Sequence, residues 1–295
     1  MPYATSNGAR LYYEEAGRGA ALVFAHEFSG DFRSWEAQMR YFSRRYRCIA
    51  FNARGYPPSE VPKSPAKYSH TIAGDDIASV MRHLGIARAH IIGCSMGAYA
   101  TLMFGLRHPR RALSLTTIGA GAGAVHDPSR RAQFVKETEA SARRFEEEGL
   151  DGAAKRYRNA PNRIQLDNKD PRGFREFFNR FAEHSATGHA NTLRGVQMRR
   201  PSIYTLEKKL ARIKAPTHVF VGDEDETSLD VGLFLKRACP AARLTVVPAT
   251  GHLVNVEEPA LFNRMTSDFL ALVDGGRWRP RDPRAVNMSM LTGNK

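Results

Sequence analysis

One stretch, Ile91-Ile92-Gly93-Cys94-Ser95-Met96-Gly97, constrains the chain more than any other. An apolar run leads into Ser95 and a second apolar run follows it, so the stretch reads as a buried strand that turns sharply into a helix at the serine. Such a turn strains the serine backbone, lifts its hydroxyl to the top of a sheet, and needs small residues two before and two after so that strand and helix can approach. Gly93 and Gly97 supply them. A Gly-x-Ser-x-Gly pattern arises by chance in about one chain in ten of this length, and a lone serine before a helix is by default an N-cap. Its partners elsewhere in the chain decide between nucleophile and cap.

Around this turn, short apolar runs alternate with helical spacings. Residues 10–16 follow an Asn7-Gly8 turn signal and read as the second arm of a hairpin; 21–25, 46–51 and 113–118 are short strand candidates. Trp35, Met39 and Phe42 recur at helical spacing, and a helix over 71–84 places Ile77, Val80, Met81 and Leu84 on one face, with Gly85 as its stop. Strands buried on both faces and alternating with helices imply a mostly parallel sheet wound by right-handed crossovers. From about residue 124 to 214 the rhythm changes to charge-rich helical patterns, over 134–148 and 172–183, with a loop-like stretch over 188–201. Periodic aromatics (Phe174, Phe177, Phe178, Phe181) mark this region as a helical insertion and not a linker. Strands resume at 217–221 and 244–247, and a final helix covers 259–273. The expected organisation is a core of residues 1–123 and 215–275, a helical cap over 124–214, and a flexible tail over 276–295.

At 295 residues and 42% hydrophobic, the chain can bury one large core plus a smaller inserted region. No run approaches the eighteen or so apolar residues of a membrane span, and the N-terminal stretch lacks the basic-then-apolar build of a secretory signal, so the expected location is cytoplasmic, with no membrane partner. Cys48, Cys94 and Cys239 are widely spaced and odd in number, against a disulfide framework or a metal site. The net charge is +14, with 20 Lys or Arg against 12 Asp or Glu over residues 126–214. The excess lacks the aromatic interleaving of a nucleic-acid platform, which argues against nucleic acid and leaves a basic rim that favours acidic substrates.

A serine hydroxyl needs a base within hydrogen-bond reach, and that base needs a carboxylate to orient it. In a parallel sheet the loops at the strand C-termini share one edge, so the partners are sought just after later strands. Asp223, Glu224 and Asp225 follow the strand at 217–221, and His252 follows the strand at 244–247. The chain order is then Ser, acid, His. The residue after the nucleophile, Met96, offers a backbone N–H to a tetrahedral oxyanion.

This order, with the strand-to-helix serine, the Arg54-Gly55 loop, Gly222-Asp223-Glu224-Asp225, and Gly251-His252 followed by Glu257-x-Pro259, resembles the α/β-hydrolase family over residues 8 to 274. The resemblance implies an α/β-hydrolase fold, a doubly wound, mostly parallel sheet with a helical cap. It implies Asp225, the third residue after Gly222, as the acid and His252 as the base; some members place the acid after the strand before the insertion, which nominates Asp127. The family's His-Gly-x loop matches His26-Glu27-Phe28 and nominates the Phe28 N–H as second oxyanion donor. Glu27 stands where the family has glycine, and Asn52 where it often has aspartate before Arg-Gly. Glu27 either points to solvent, pairs with a cap arginine, or lines the pocket with His26. The expected activity is cofactor-free and metal-free hydrolysis of a carboxylic ester, lactone or related acyl bond of a small molecule. Carbon–carbon bond hydrolases, cofactor-free oxygenases or perhydrolases, and non-catalytic ligand-binding members share the fold and stay open.

Overall fold

The computed structural model describes residues 2–282. Eight strands form one sheet in the order β1-β2-β4-β3-β5-β6-β7-β8. They are β1 (Tyr3–Ser6), β2 (Ala9–Ala16), β3 (Ala21–Ala25), β4 (Arg47–Phe51), β5 (Ala89–Cys94), β6 (Ala112–Ile118), β7 (Thr217–Gly222) and β8 (Ala242–Val247). The hairpin β1–β2 is antiparallel and β2 runs antiparallel to β4, while the pairs from β4 through β3, β5, β6 and β7 to β8 are parallel.

Strand periodicity sorts the core into two layers. On β3, Val23 joins a cluster with Ile77, Met81, Ala98, Leu102 and Leu235. These come from α2 (His70–His83), α3 (Met96–Arg107) and α9 (Glu226–Ala238), which cover that face. Leu22 and Phe24 point the other way, to Trp35, Met39, Phe42, Phe262 and Phe269, from the short turn Phe32–Trp35 with α1 (Glu36–Phe42) and from α10 (Pro259–Asp274). Alternate residues of one five-residue strand thus bury against opposite helix layers, which is why these strands read as continuous apolar runs. Each fully buried aromatic such as Phe24 or Phe220 contributes about 2 kcal/mol through the area it removes from water.

The insertion lies between β6 and β7. It holds α4 (Pro128–Arg158), α5 (Ile164–Lys169), α6 (Pro171–Phe181), α7 (Ala186–Thr192), a π-helical turn Leu193–Met198, and α8 (Glu207–Leu210). Gly149, at φ 68°, breaks α4 into two arms. The four phenylalanines expected on one face of α6 are all buried. The stretch 188–201, expected as a loop, is helical over most of its length. Its glycines are not breakers: a Cβ at Gly188 would fall onto the Gly55 carbonyl and one at Gly195 onto Tyr68, so both allow the insertion to lie directly on the core loops.

The expected flexible tail is anchored at its start. Trp278 donates from Nε1 to the Ala241 carbonyl at 3.2 Å and packs edge-on against Phe269, and the Arg281 N–H bonds the Pro240 carbonyl. An indole with a partner for its N–H is a strong anchor. Residues 283–295 of that tail lie outside the described residues. No helix among the described residues is long and apolar enough to cross a membrane.

Burial also sets a pH limit. His218 on β7 packs tilted against Phe220 and edge-on against Phe269, bonds Thr245 Oγ1 at 2.9 Å, and burial brings it down to about 4. Burial likewise lowers His26, His90 and His189. These groups take up protons more readily when unfolded, so their contribution to stability is full above the ordinary histidine value and is lost as pH falls below it, for His218 down to about 4. His218 alone accounts for a loss of about 3 kcal/mol over that window. Urea melts should show stability falling steeply from pH 6.5 to 4, and a His218→Phe variant should show a shallower fall; an unchanged slope would refute this.

Candidate active site

Ser95 sits between β5 and α3 at φ 53°, ψ −108°, a region a side-chain-bearing residue rarely adopts and that costs about 1–3 kcal/mol. The two glycines are required by contact: a Cβ at Gly93 would meet the Gly97 carbonyl, and one at Gly97 the Ala25 carbonyl on β3. Ser95 N–H donates to the Ile118 carbonyl at 2.7 Å, which ties the turn to the end of β6. Its side chain makes no N-cap hydrogen bond to α3, unlike Ser69, whose hydroxyl accepts from Ile72 N–H at the start of α2. The capping role of an ordinary serine is therefore absent here.

At the same sheet edge, His252 Nδ1 lies 2.6 Å from Asp225 Oδ2. The pair is buried, with side-chain exposures of 7% and 0%. Burial would raise the Asp225 carboxyl, but the adjacent imidazole and the Thr227 hydroxyl, 3.0 Å from Oδ1, outweigh it and bring it down to about 2. Asp225 is thus ionised and holds the Nδ1–H tautomer, which leaves Nε2 as the free acceptor. Gly119, at φ +59° just past β6, makes room for the pair: a Cβ there would stand 2.9 Å from His252 Nδ1 and 3.1 Å from Asp225 Oδ2.

The remaining nominated acids lie elsewhere. Asp223 Oδ1 accepts from Thr250 N–H, Glu224 is bound by Gln165, and Asp127 caps α4 through Arg130 N–H. Cys94 is buried beneath the turn, its Sγ 3.9 Å from the His252 carbonyl, so the residue before Ser95 touches His252. Among the described residues no hydrogen bond joins Ser95 to His252. In unliganded sites such bonds are often long and tighten when substrate binds.

Both nominated oxyanion donors are oriented. Met96 opens α3, so its N–H has no intrahelical acceptor. For Phe28 the orientation comes from His26. Ala53 N–H donates to His26 Nε2 at 3.0 Å, so the proton sits on Nδ1, which donates to the Glu27 carbonyl at 2.7 Å. In a trans peptide the N–H points opposite to the carbonyl, so fixing the Glu27 carbonyl aims the Phe28 N–H the other way. The Phe28 carbonyl is held in turn by His189 Nε2 of α7 at 3.1 Å.

Glu27 is buried, not solvent-facing. Its Oε2 accepts from Ser29 N–H at 2.7 Å and from Arg163 Nη2, in the insertion, at 3.2 Å. Asn52 accepts from Phe32 N–H and donates to the Pro57 carbonyl, binding two loops together.

Three supporting residues escaped sequence reasoning. Glu257 grips the peptide on either side of His252, accepting from Gly251 N–H at 2.7 Å and Leu253 N–H at 3.0 Å. It was visible only as part of a motif. Arg163 and His189 carry no local signal, because their partners lie 136 and 161 residues away.

Above the site, Phe28, Tyr56 and Met96 form one apolar cluster with Phe145, Phe181, Leu193 and Val196 of the insertion. Phe145 and Tyr157 also line a cleft between the two arms of α4, whose rim carries Arg144 and Arg156. The combination suits nucleophilic attack by a hydroxyl on an electrophilic carbon, with proton transfer through an oriented imidazole and fixed donors for a developing negative charge.

A family model described as alpha/beta hydrolase fold matches residues 20–259. Among curated proteins, a 3-oxoadipate enol-lactonase of Acinetobacter baylyi is 25% identical over 251 residues, covering 85% of this chain and 88% of its own. A 2-hydroxy-6-oxononadienedioate/2-hydroxy-6-oxononatrienedioate hydrolase of Comamonas testosteroni is 28% identical over 269 residues, covering 89% and 91%. Among solved structures, a thermophilic esterase from Thermogutta terrifontis superposes with a TM-score of 0.80 at 23% identity, covering 92% of this chain and 98% of that one.

Proposed function

Since the chain belongs to the α/β-hydrolase fold family, we propose that it is a serine hydrolase cleaving a carboxylic ester or lactone of a small molecule through an acyl-enzyme. The observation that carries this reading is the buried Asp225–His252 pair at the edge where Ser95 stands on a strained turn with a hydroxyl that caps nothing. Ser95 Oγ attacks the acyl carbon while His252 Nε2 takes its proton. The C–O bond to the leaving group breaks, and His252 returns the proton to the departing oxygen. Water then attacks the acyl-enzyme with His252 as base, releasing the acid and restoring Ser95. The N–H groups of Phe28 and Met96 hold the oxyanion in both steps.

The acyl part of the substrate is uncharged. The walls nearest the donors are aromatic and aliphatic, and Arg163, the arginine that reaches the oxyanion turn, is already neutralised by Glu27. A free carboxylate on the acyl chain would be desolvated there beside a guanidinium whose charge Glu27 already balances. The basic excess of the insertion therefore marks its surface and cleft rim and not the acyl site. On a panel of p-nitrophenyl esters, butyrate and benzoate should exceed the carboxylate-bearing hemisuccinate in kcat/KM by at least about tenfold. A preference for hemisuccinate would overturn the assignment. A γ-lactone and a β-diketone in the same panel distinguish C–O from C–C cleavage.

A further inference from the structure

Glu27 precedes Phe28 where the resemblance led to an expected glycine, and its burial has a structural correlate on the insertion. Two consecutive insertion residues reach the two loops that carry the two halves of the machinery. The Asn162 carbonyl accepts from His252 N–H at 3.0 Å, so close to the chain that a Cβ at Gly251 would meet it. Arg163 Nη2 bonds Glu27 Oε2 at 3.2 Å and Ser29 Oγ at 3.1 Å. Glu27 Oε2 in turn accepts from Ser29 N–H, closing a turn over Phe28.

The ion pair is poorly arranged for stability alone. Its side chains are 5% and 2% exposed, and Arg163 Nη1 and Glu27 Oε1 have no hydrogen-bond partner. Two buried charges joined by one moderate contact recover little of their desolvation, so stability alone does not account for the pair.

Resting on the serine hydrolase reading above, we infer that Glu27 and Arg163 are a positioning pair: they clamp the oxyanion turn to the insertion segment that also fixes the His252 loop, setting the Phe28 donor and the base in register. Neither side chain touches the reacting atoms. Their effect passes through the Phe28 N–H, whose value to catalysis depends on sub-ångström placement.

The test uses Glu27→Gln, Arg163→Gln and the double variant in the full chain, with p-nitrophenyl butyrate as substrate. Each single variant should lower kcat by about 10²-fold with KM changed less than about threefold, the scale of one displaced oxyanion donor. The double variant should be no worse than the worse single one, because both remove the same clamp. Affinity for a butyl trifluoromethyl ketone, which forms an oxyanion on Ser95, should fall in parallel with kcat, while affinity for butyrate stays unchanged. A merely structural pair would not separate the two ligands. A second arm needs no turnover: amide hydrogen exchange over residues 26–31 and 250–254 should quicken together in either variant.

Wild-type kcat and ketone affinity in both single variants, or losses that multiply in the double one, would overturn the inference while leaving Ser95-dependent turnover intact. If the wild type shows no Ser95-dependent turnover, the hydrolase reading fails separately. The exchange arm then decides the clamp: joint quickening supports it and unchanged exchange refutes it.

Discussion

Replacing Ser95 with alanine should lower kcat/KM on p-nitrophenyl butyrate by about 10⁶-fold, the scale seen when the nucleophile of a triad is removed. The size follows from the geometry. Removing Oγ takes away the atom that forms the covalent bond, but leaves the Asp225–His252 pair, the Met96 and Phe28 donors and the aromatic walls in place. A residual rate above that in water is therefore expected from the oxyanion site and binding alone. The variant should fold at least as well as the wild type, because the side chain makes no capping bond and alanine relieves nothing that holds the turn. A circular dichroism melt alongside the steady-state assay separates loss of chemistry from loss of fold. A fall of less than tenfold would mean that another group attacks the substrate.

Asp225→Asn should cost about 10⁴-fold in kcat with little change in KM. The carboxylate accepts the Nδ1 proton at 2.6 Å and sits in a site with no exposure to water. An asparagine of the same shape presents an N–H₂ toward Nδ1 and stabilises the tautomer with its proton on Nε2, facing Ser95. The imidazole then has no lone pair with which to take the serine proton. Because the carboxyl lies at about 2 in the folded protein, Asp225 stays ionised above about pH 3, so protonation of Asp225 should not limit activity above that pH. Stopped-flow kinetics should show acylation slowed in step with kcat. Equal losses in Asp223→Asn would move the acid to the neighbouring carboxylate.

The parts of this molecule that were legible in its sequence share a cause. Ser95, the carboxylates at 223–225 and His252 each follow a short apolar run, and parallel pairing brings the ends of those runs to one edge, so chain order and strand position pointed to that edge, while the choice of Asp225 among the three carboxylates came from the family resemblance. Val23 and its neighbours read as one buried run because both faces of the sheet are covered. What stayed hidden depends on contacts between distant segments. Gly188 and Gly195 look like breakers until Gly55 and Tyr68 are seen pressed against them. Arg163 is one of many insertion cations until Glu27 appears beside it, and His189 one of ten histidines until the Phe28 carbonyl meets its ring. Glu27 was visible as a departure, but its direction was set by a residue 136 positions away. The tail is a similar case, since the anchoring of Trp278 depends on Ala241 and Phe269 and not on its Pro- and Arg-rich surroundings.

That Ser95 is the nucleophile of an acyl-enzyme is tested most directly by intact-mass spectrometry after reaction with a fluorophosphonate. Wild-type protein should gain one adduct, mapped by peptide sequencing to Ser95, with ester hydrolysis lost in proportion. Ser95→Ala should gain none, and Asp225→Asn should react slowly. An enzyme that hydrolyses the ester yet takes no adduct, or takes it at another residue, would contradict the assignment of this turn as the catalytic centre.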